Sequence, residues 1–262
     1  MNALRQWQLR ELPVLREAAF ARPVTDDLTV VAYTFPAEGG EDAFAFLECA
    51  ILQTWRVLGK LPVSLVAGRP FKAAVDFASR HGCVDLQIEG TLVPGRIETM
   101  SADCCGRLCG RFATAYCLVV QDDGFPLRPG IGDFLGKWDF VGAPYVRISP
   151  LRNIVSRICG LNESNGGFSL RSKRICEAAA EWWKRKYSAL HPSRATVEDI
   201  YYTRTLPLRH PSFRFKYKIA PNTEAIKFSY DAIVRQPVAE PPFGFHRAES
   251  FAFLSERGAG AV

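Results

Sequence analysis

Asp122 and Asp123 stand side by side at the end of an apolar run, Cys117-Leu118-Val119-Val120. Two carboxylates this close raise each other's pKa unless something compensates their charge. A divalent cation does so, and hard oxygen ligands suit Mg²⁺ or Mn²⁺, bridged in turn to the phosphates of a nucleotide. The alternative is a solvated AspAspGly turn. A second acidic pair, Glu198-Asp199, lies about 75 residues on. One of its members could take the proton from an acceptor hydroxyl; equally, both could serve a helix N-terminus. His246, framed by ProPheGlyPheHisArg, could complete a Mn²⁺ shell begun by carboxylates or be a structural imidazole. Asn165-Gly166-Gly167-Phe168-Ser169-Leu170-Arg171 sets two glycines where backbone approaches something closely, or where a hairpin simply turns. Arg171 suits phosphate oxygens, or is a surface arginine.

These residues need a scaffold. Leu28–Phe35 reads as a buried strand. Ala43–Leu58 carries Phe44, Leu47, Ile51, Trp55 and Leu58 at helical spacing and stops at Gly59. A strand over 62–67 and a helix over 71–80 follow. This βαβα start predicts a parallel sheet with right-handed crossovers. Short strands are expected at 85–88 and 92–97, and a helix in 101–115. The acidic run 117–123 is then a buried strand whose C-terminal end delivers carboxylates to the edge where open α/β sheets bind ligands. A short helix is expected at 131–135 and a strand at 138–144. A glycine turn should lead into a strand at 165–172, followed by a basic helix at 173–186. A helix opens at 197–205, capped by Thr196. The last third, 211–262, reads as irregular, and residues 1–26 and 256–262 as loose tails.

Net charge is +6 and the sequence is 48% hydrophobic. That favours anionic ligands, leaves peripheral membrane association open and is too modest to argue for nucleic acid. The eight cysteines lack zinc-site spacing and several sit among apolar residues. Without a signal peptide or long apolar run, the expected compartment is the reducing cytoplasm.

Five motifs occur in order: GlnAspAspGly, PheValGlyAlaPro, AsnGlyGlyPheSerLeuArg, GluAspIleTyrTyr and PheGlyPheHis. Together this set resembles a bacterial and fungal glycosyltransferase-like family of the GT-A type, catalogued as a domain of unknown function. It is also distantly similar to the fringe and β-1,3-galactosyltransferases. The resemblance implies a single α/β, Rossmann-like GT-A domain over 28–247, with a mostly parallel central sheet and helices on both faces. Residues 1–27 would be an extension and 248–262 a tail. It implies hexosyl transfer from a nucleotide diphosphate sugar to a carbohydrate or other hydroxyl-bearing acceptor, metal-dependent and inverting.

By the same resemblance, Asp123 and His246 hold Mn²⁺ or Mg²⁺. Gln121 stands where many such enzymes carry the first Asp. Asp122 lies at the middle of the acidic motif, Thr34 and Phe35 help hold the nucleoside, and Gly166 and Gly167 match the Gly-Gly segment that lines the acceptor side; Arg171 is the candidate partner of the diphosphate. Asp199 is the base, with Glu198 its rival. Two other readings remain: a nucleotidyltransferase, and a non-catalytic nucleotide-sugar-binding or scaffolding module.

Overall fold

The computed structural model describes residues 1–34, 42–94, 96–144, 161–186, 197–231 and 240–256. Phe35, Thr196 and Cys159, named above or among the cysteines, lie outside them.

Strands β1 (Leu28–Thr34), β2 (Val63–Ala67), β3 (Val84–Ile88), β4 (Tyr116–Val120), β5 (Phe140–Pro144) and β6 (Ser164–Ser172) form one sheet in the order β3-β2-β1-β4-β6-β5. The first four are mutually parallel, and β6 runs antiparallel between β4 and β5. The sheet is therefore mostly parallel, as the βαβα pattern requires. Strand β1 is buried along its whole length because neighbours pair with it on both edges and helices cover both faces. Its side chains alternate between two cores. Val30 and Ala32 meet helices α1 (Ala3–Glu17), α2 (Asp42–Leu58) and α3 (Lys72–Arg80). Val31 and Tyr33 meet α4 (Ile97–Gly106) and α5 (Lys173–Lys186). Helix α2 ends at Gly59, whose φ of +77° suits a residue without Cβ.

The strand order reverses between β1 and β4, so the connections that follow these two strands lead to opposite sides of the sheet. Doubly wound sheets bind ligands in a crevice at such a switch point.

Several expectations fail. The predicted strand at 92–97 is absent, and α4 begins at Ile97 instead. The segment 165–172 contains no glycine turn: both glycines lie inside β6, which is held on each edge. Residues 1–26 are not a loose tail. Asn2 caps α1 by accepting from the Arg5 N–H at 2.9 Å, and Leu4, Trp7, Leu12 and Leu15 are buried. Trp7 stacks on Phe125, with ring centroids 5.6 Å apart, and meets Phe251 at 5.4 Å. The polar outer face of α1 hid this in the sequence, because half of an amphipathic helix always reads as solvated.

The last third is also more ordered than its proline content suggests. After α5 come a helical stretch over 198–209, a short helix Pro211–Lys216 and a helix Asn222–Phe228. Strands β7 (Ser229–Asp231) and β8 (Gly244–His246) then pair in parallel, and a helix Ala248–Glu256 ends the described chain. The expected helix at 131–135 is a single 3₁₀ turn, Ile131–Asp133. Among the described residues no helix is long and apolar enough to cross a membrane.

The Trp7 contacts generate a stability prediction. Trp7→Ala should lower unfolding free energy by about 3–5 kcal/mol. Urea denaturation measures it; a loss below about 1 kcal/mol would return α1 to the status of a tail.

Candidate active site

Strand β4 ends in a tight turn. Gln121 and Gly124 exchange two backbone hydrogen bonds, each 3.1 Å, leaving Asp122 and Asp123 at the tip. The turn reading and the acidic-edge reading are thus the same structure. The two carboxylates have different fates. Asp122 is paired with Arg5 of α1, and its carbonyl accepts from Gln8 Nε2 at 2.6 Å. Arg5 also lies over the Phe46 ring at 4.1 Å. Asp123 instead faces the chain's C-terminal part. Burial pushes its carboxyl above the usual range, against the pull of His246.

His246 reaches Asp123 because β8 folds back across the sheet edge. The Arg247 N–H donates to the Asp123 carbonyl at 2.7 Å, fixing that crossing. Arg247 takes a φ of +79° to make it. His246 Nε2 lies 3.7 Å from Asp123 Oδ1 and 3.3 Å from Gln121 Oε1. A carboxylate oxygen, an imidazole nitrogen and an amide oxygen thus converge, and this donor set suits Mn²⁺ or Mg²⁺. Among the described residues no three His, Cys, Asp or Glu side chains gather as a metal cluster. Behind the imidazole, Nδ1 is buried, has no hydrogen bond among the described residues and sits 3.6 Å from Asp231 Oδ2. Asp231, 2% exposed, also accepts from Asn165 Nδ2 at 3.3 Å. It therefore ties the His246 strand to the Gly-Gly segment.

Gly166 and Gly167 explain their own identity. A Cβ on Gly167 would collide with His246 Nε2 and lie 2.7 Å from Gln121 Oε1. A Cβ on Gly166 would lie 2.7 Å from both Arg171 and Glu198, and 3.3 Å from the Asp199 Cβ. Successive strand residues point to opposite faces. The missing side chains therefore admit the His246 group on one face and the acid pair on the other.

The acid pair is unequal. Glu198 accepts from Ser101 Oγ at 2.9 Å and faces Arg171 at 3.8 Å. Asp199 accepts from its neighbour's N–H, Ile200, at 2.5 Å. Burial and the adjacent Glu198 charge push its carboxyl up to about 7. Val197 precedes the helix without a side-chain cap.

Arg171 corrects the sequence reading in both its forms. It is 0% exposed, so it is neither a surface arginine nor open to a diphosphate at the sheet edge. Its guanidinium lies 5.1 Å from the Phe140 ring and 5.0 Å from the Tyr202 ring. It donates to the Gly166 carbonyl at 3.2 Å and Ser169 Oγ at 3.0 Å. Strand alternation could have placed it: Leu170 and Ser172 cannot share its face. Thr34 ends β1 at the crevice, buried and paired with Ala67. Sequence reasoning missed Arg5, Gln8 and Asp231. The acid-binding pattern of α1 gives no local motif, and Asp231 shows its use only through β7–β8 pairing.

This fold is the Rossmann-like GT-A arrangement of glycosyltransferases. The galactosyltransferase LgtC, in complex with donor and acceptor sugar analogs, aligns over 89% of this chain and 96% of its own. The TM-score is 0.54 at 13% identity. An active-site mutant of LgtC aligns over 87% and 95%, with a TM-score of 0.51 at 14% identity. The mannosyltransferase PcManGT from Pyrobaculum calidifontis, in complex with GDP-Man and Mn²⁺, aligns over 98% and 79% at 12% identity. Its TM-score of 0.42 is too low to bear on the site. At such identities the likeness is one of fold. No curated protein matches the sequence. A family model does match residues 107–246: the chain belongs to the family described as "Protein of unknown function (DUF5672)". The matched segment runs from before β4 to His246, so it holds the acidic turn, both glycines, the acid pair and the imidazole.

The raised Asp199 pKa carries a sign. The folded protein keeps a proton there that the unfolded chain releases near pH 4, so this group destabilises the fold as pH rises from about 4 to about 7. Asp199→Asn removes the effect. The variant should gain stability relative to the parent as pH rises from about 4 to about 7 and level off above that, read from paired denaturation curves. A pH-independent difference would contradict the assignment.

Proposed function

We propose that the chain transfers a glycosyl group from a nucleotide diphosphate sugar to an acceptor hydroxyl. The observation that carries this reading is the approach of His246 to Asp123, at 3.7 Å, on the sheet edge where strand order reverses. The donor would lie across that crevice, its nucleoside beside Thr34 and its diphosphate toward the acidic turn. Asp123 and His246 would hold Mn²⁺ or Mg²⁺, with Gln121 offering a neutral oxygen. When bound, the cation supplies positive charge against the growing charge of the diphosphate leaving group. The Asp122–Arg5 pair leaves Asp123 as the turn's uncommitted carboxylate. Gln121 in place of a third acid keeps the edge from becoming more anionic than one cation can offset.

Asp199 is the proposed base. Glu198 is engaged by Ser101 and Arg171, while Asp199 has the proton affinity of a group poised near neutrality. It would accept the acceptor hydroxyl proton as that oxygen bonds to the sugar's anomeric carbon. The bond to the diphosphate oxygen breaks on the other side, which inverts the centre. The glycine pair keeps this acid on the face opposite the imidazole.

Thermal denaturation across nucleotide sugars, with and without Mn²⁺, tests the reading. A donor should raise the melting temperature by mass action, and more so with the cation. If none does, and none is turned over, the reading fails. Asp123→Ala should abolish the Mn²⁺-dependent part of donor binding while the fold survives. Asp199→Asn should cut turnover by roughly 10²–10⁴ and leave donor affinity nearly unchanged. Parent kcat should rise with pH through a limb near 7, where Asp199 loses its proton. Full activity in Asp199→Asn with none in Glu198→Gln would exchange the two roles.

A further inference from the structure

Between Asp199 and Glu224 the sequence contains no acidic residue, yet it carries Arg204, Arg209, Arg214, Lys216 and Lys218. Five of the excess positive charges thus fall in one stretch, in a protein whose net charge is +6. Several surface cations elsewhere are matched: Arg16 and Arg80 share Glu48, and Lys137 and Lys227 share Glu224. Here, among the described residues, only Arg204 has a carboxylate partner, Glu163 at 3.8 Å. Among the described residues no carboxylate lies within ion-pair distance of Arg209, Arg214, Lys216 or Lys218.

The same stretch exposes apolar side chains. Phe215 is 91% exposed and Leu208 is 44% exposed. This is no loose loop. Phe213 and Tyr217 on either side are buried, with ring centroids 4.5 Å apart. Leu206 and Pro207 are buried behind Leu208. The buried residues anchor the short helix Pro211–Lys216 and hold Phe215 outward, at no gain to the fold. Glu177 and Glu181 border the flank near Lys216, and Glu181 is already paired with Arg185 at 3.4 Å. The face toward Leu208, Arg209 and Arg214 has no such acid among the described residues.

We infer that Leu208, Arg209, Arg214, Phe215 and Lys216 form a docking face for a bilayer surface containing anionic lipid. Unpaired cations meet the negative headgroups, each adding to affinity, while Phe215 and Leu208 enter the boundary below them. An exposed aliphatic side chain beside a single exposed aromatic fits an acyl boundary; a nucleic-acid strand would call for stacking rings along a groove. The placement has a geometric consequence. The helical stretch 198–209 begins at the Glu198-Asp199 pair and ends at Leu208 and Arg209, so these two members of the face sit at the far end of the element that carries the acid pair. The inference stands on charge and exposure and does not require the proposed reaction.

Co-sedimentation of the full chain with vesicles tests it, using phosphatidylcholine alone and phosphatidylcholine mixed with phosphatidylglycerol. The chain should pellet with the mixed vesicles only, and high salt should release it. Phe215→Ala should weaken binding several-fold, and its 91% exposure makes the substitution harmless to the fold. Arg209→Glu with Arg214→Glu and Lys216→Glu should abolish binding, each reversal costing about fivefold or more. Binding to neutral vesicles with equal strength, binding unchanged in both variants, or a parent that stays in the supernatant would overturn the inference. So would salt-sensitive binding to a single-stranded oligonucleotide without binding to vesicles.

Discussion

The absence of two side chains organises the centre of this molecule. Strand β6 must bring its backbone against polar groups on both faces, and no residue with a Cβ fits at Gly166 or Gly167. Glycine there is costly, since it loses more backbone entropy on ordering than any other residue. The cost is offset by hydrogen bonds that hold the strand from both sides. The Arg171 guanidinium grips the Gly166 carbonyl, and Asn165 Oδ1 accepts from the Gly167 N–H at 2.9 Å. Arg171 could not be buried alone, because an isolated interior cation is strongly disfavoured. Glu198, two aromatic faces and the strand carbonyl together make its burial tolerable. The arginine, the acid and the glycines therefore come as a set.

Charge at the sheet edge follows a related logic. The turn after β4 places two carboxylates on adjacent residues, and the protein separates their surroundings rather than letting them repel. Helix α1 claims Asp122 through Arg5, while β8 brings His246 to Asp123. The segments that do this lie near opposite ends of the chain. Trp7 and Phe251 join them through a ring contact in the same core. A helix that reads as an extension is thus part of what sets the electrostatics of the acidic turn. Division of the chain at residue 27 would cut through that arrangement.

Much of this was legible in the sequence wherever local pattern and tertiary role agree. Helix α2 follows its apolar spacing to Leu58, and α5 spans the predicted 173–186. The acidic strand β4 lies at the point where the strand order reverses. His246 lies 3.7 Å from Asp123, a proximity that its Pro/Gly frame alone does not specify. Legibility failed where a residue's meaning depends on a distant neighbour. Gly166 and Gly167 look like a turn because glycine pairs most often are one; their place inside β6 is decided by β4 and β5, not by the residues themselves. Arg171 looks like a phosphate ligand because arginine usually is exposed, whereas here it is buried against the Phe140 and Tyr202 rings. Asp231 carries no signal until its pairing with His246 is known.

The same dependence on distant neighbours distinguishes Glu198 from Asp199, which sequence leaves equivalent. Adjacent helical residues point about 100° apart, so the pair cannot share one environment. Glu198 is directed toward Ser101 on α4 and Arg171 on β6. Those contacts fix it and compensate its charge. Among the described residues Asp199 has no cation at ion-pair distance, and the neighbouring Glu198 adds to the burial that opposes its ionisation. Immediately beyond, the helix widens into a π turn over Tyr201–Thr205, an irregularity that accommodates an extra residue per turn. The Tyr202 hydroxyl donates to the Cys104 carbonyl at 2.9 Å and the Tyr201 hydroxyl to the Ala179 carbonyl at 3.1 Å. Two successive tyrosines are thereby both anchored inside, one on α4 and the other on α5. This pins the start of the helix between two layers and leaves little room for Glu198 and Asp199 to exchange positions. A carboxyl that is rigidly held, short of a cation and next to a fixed negative charge is one whose proton affinity the fold itself has raised.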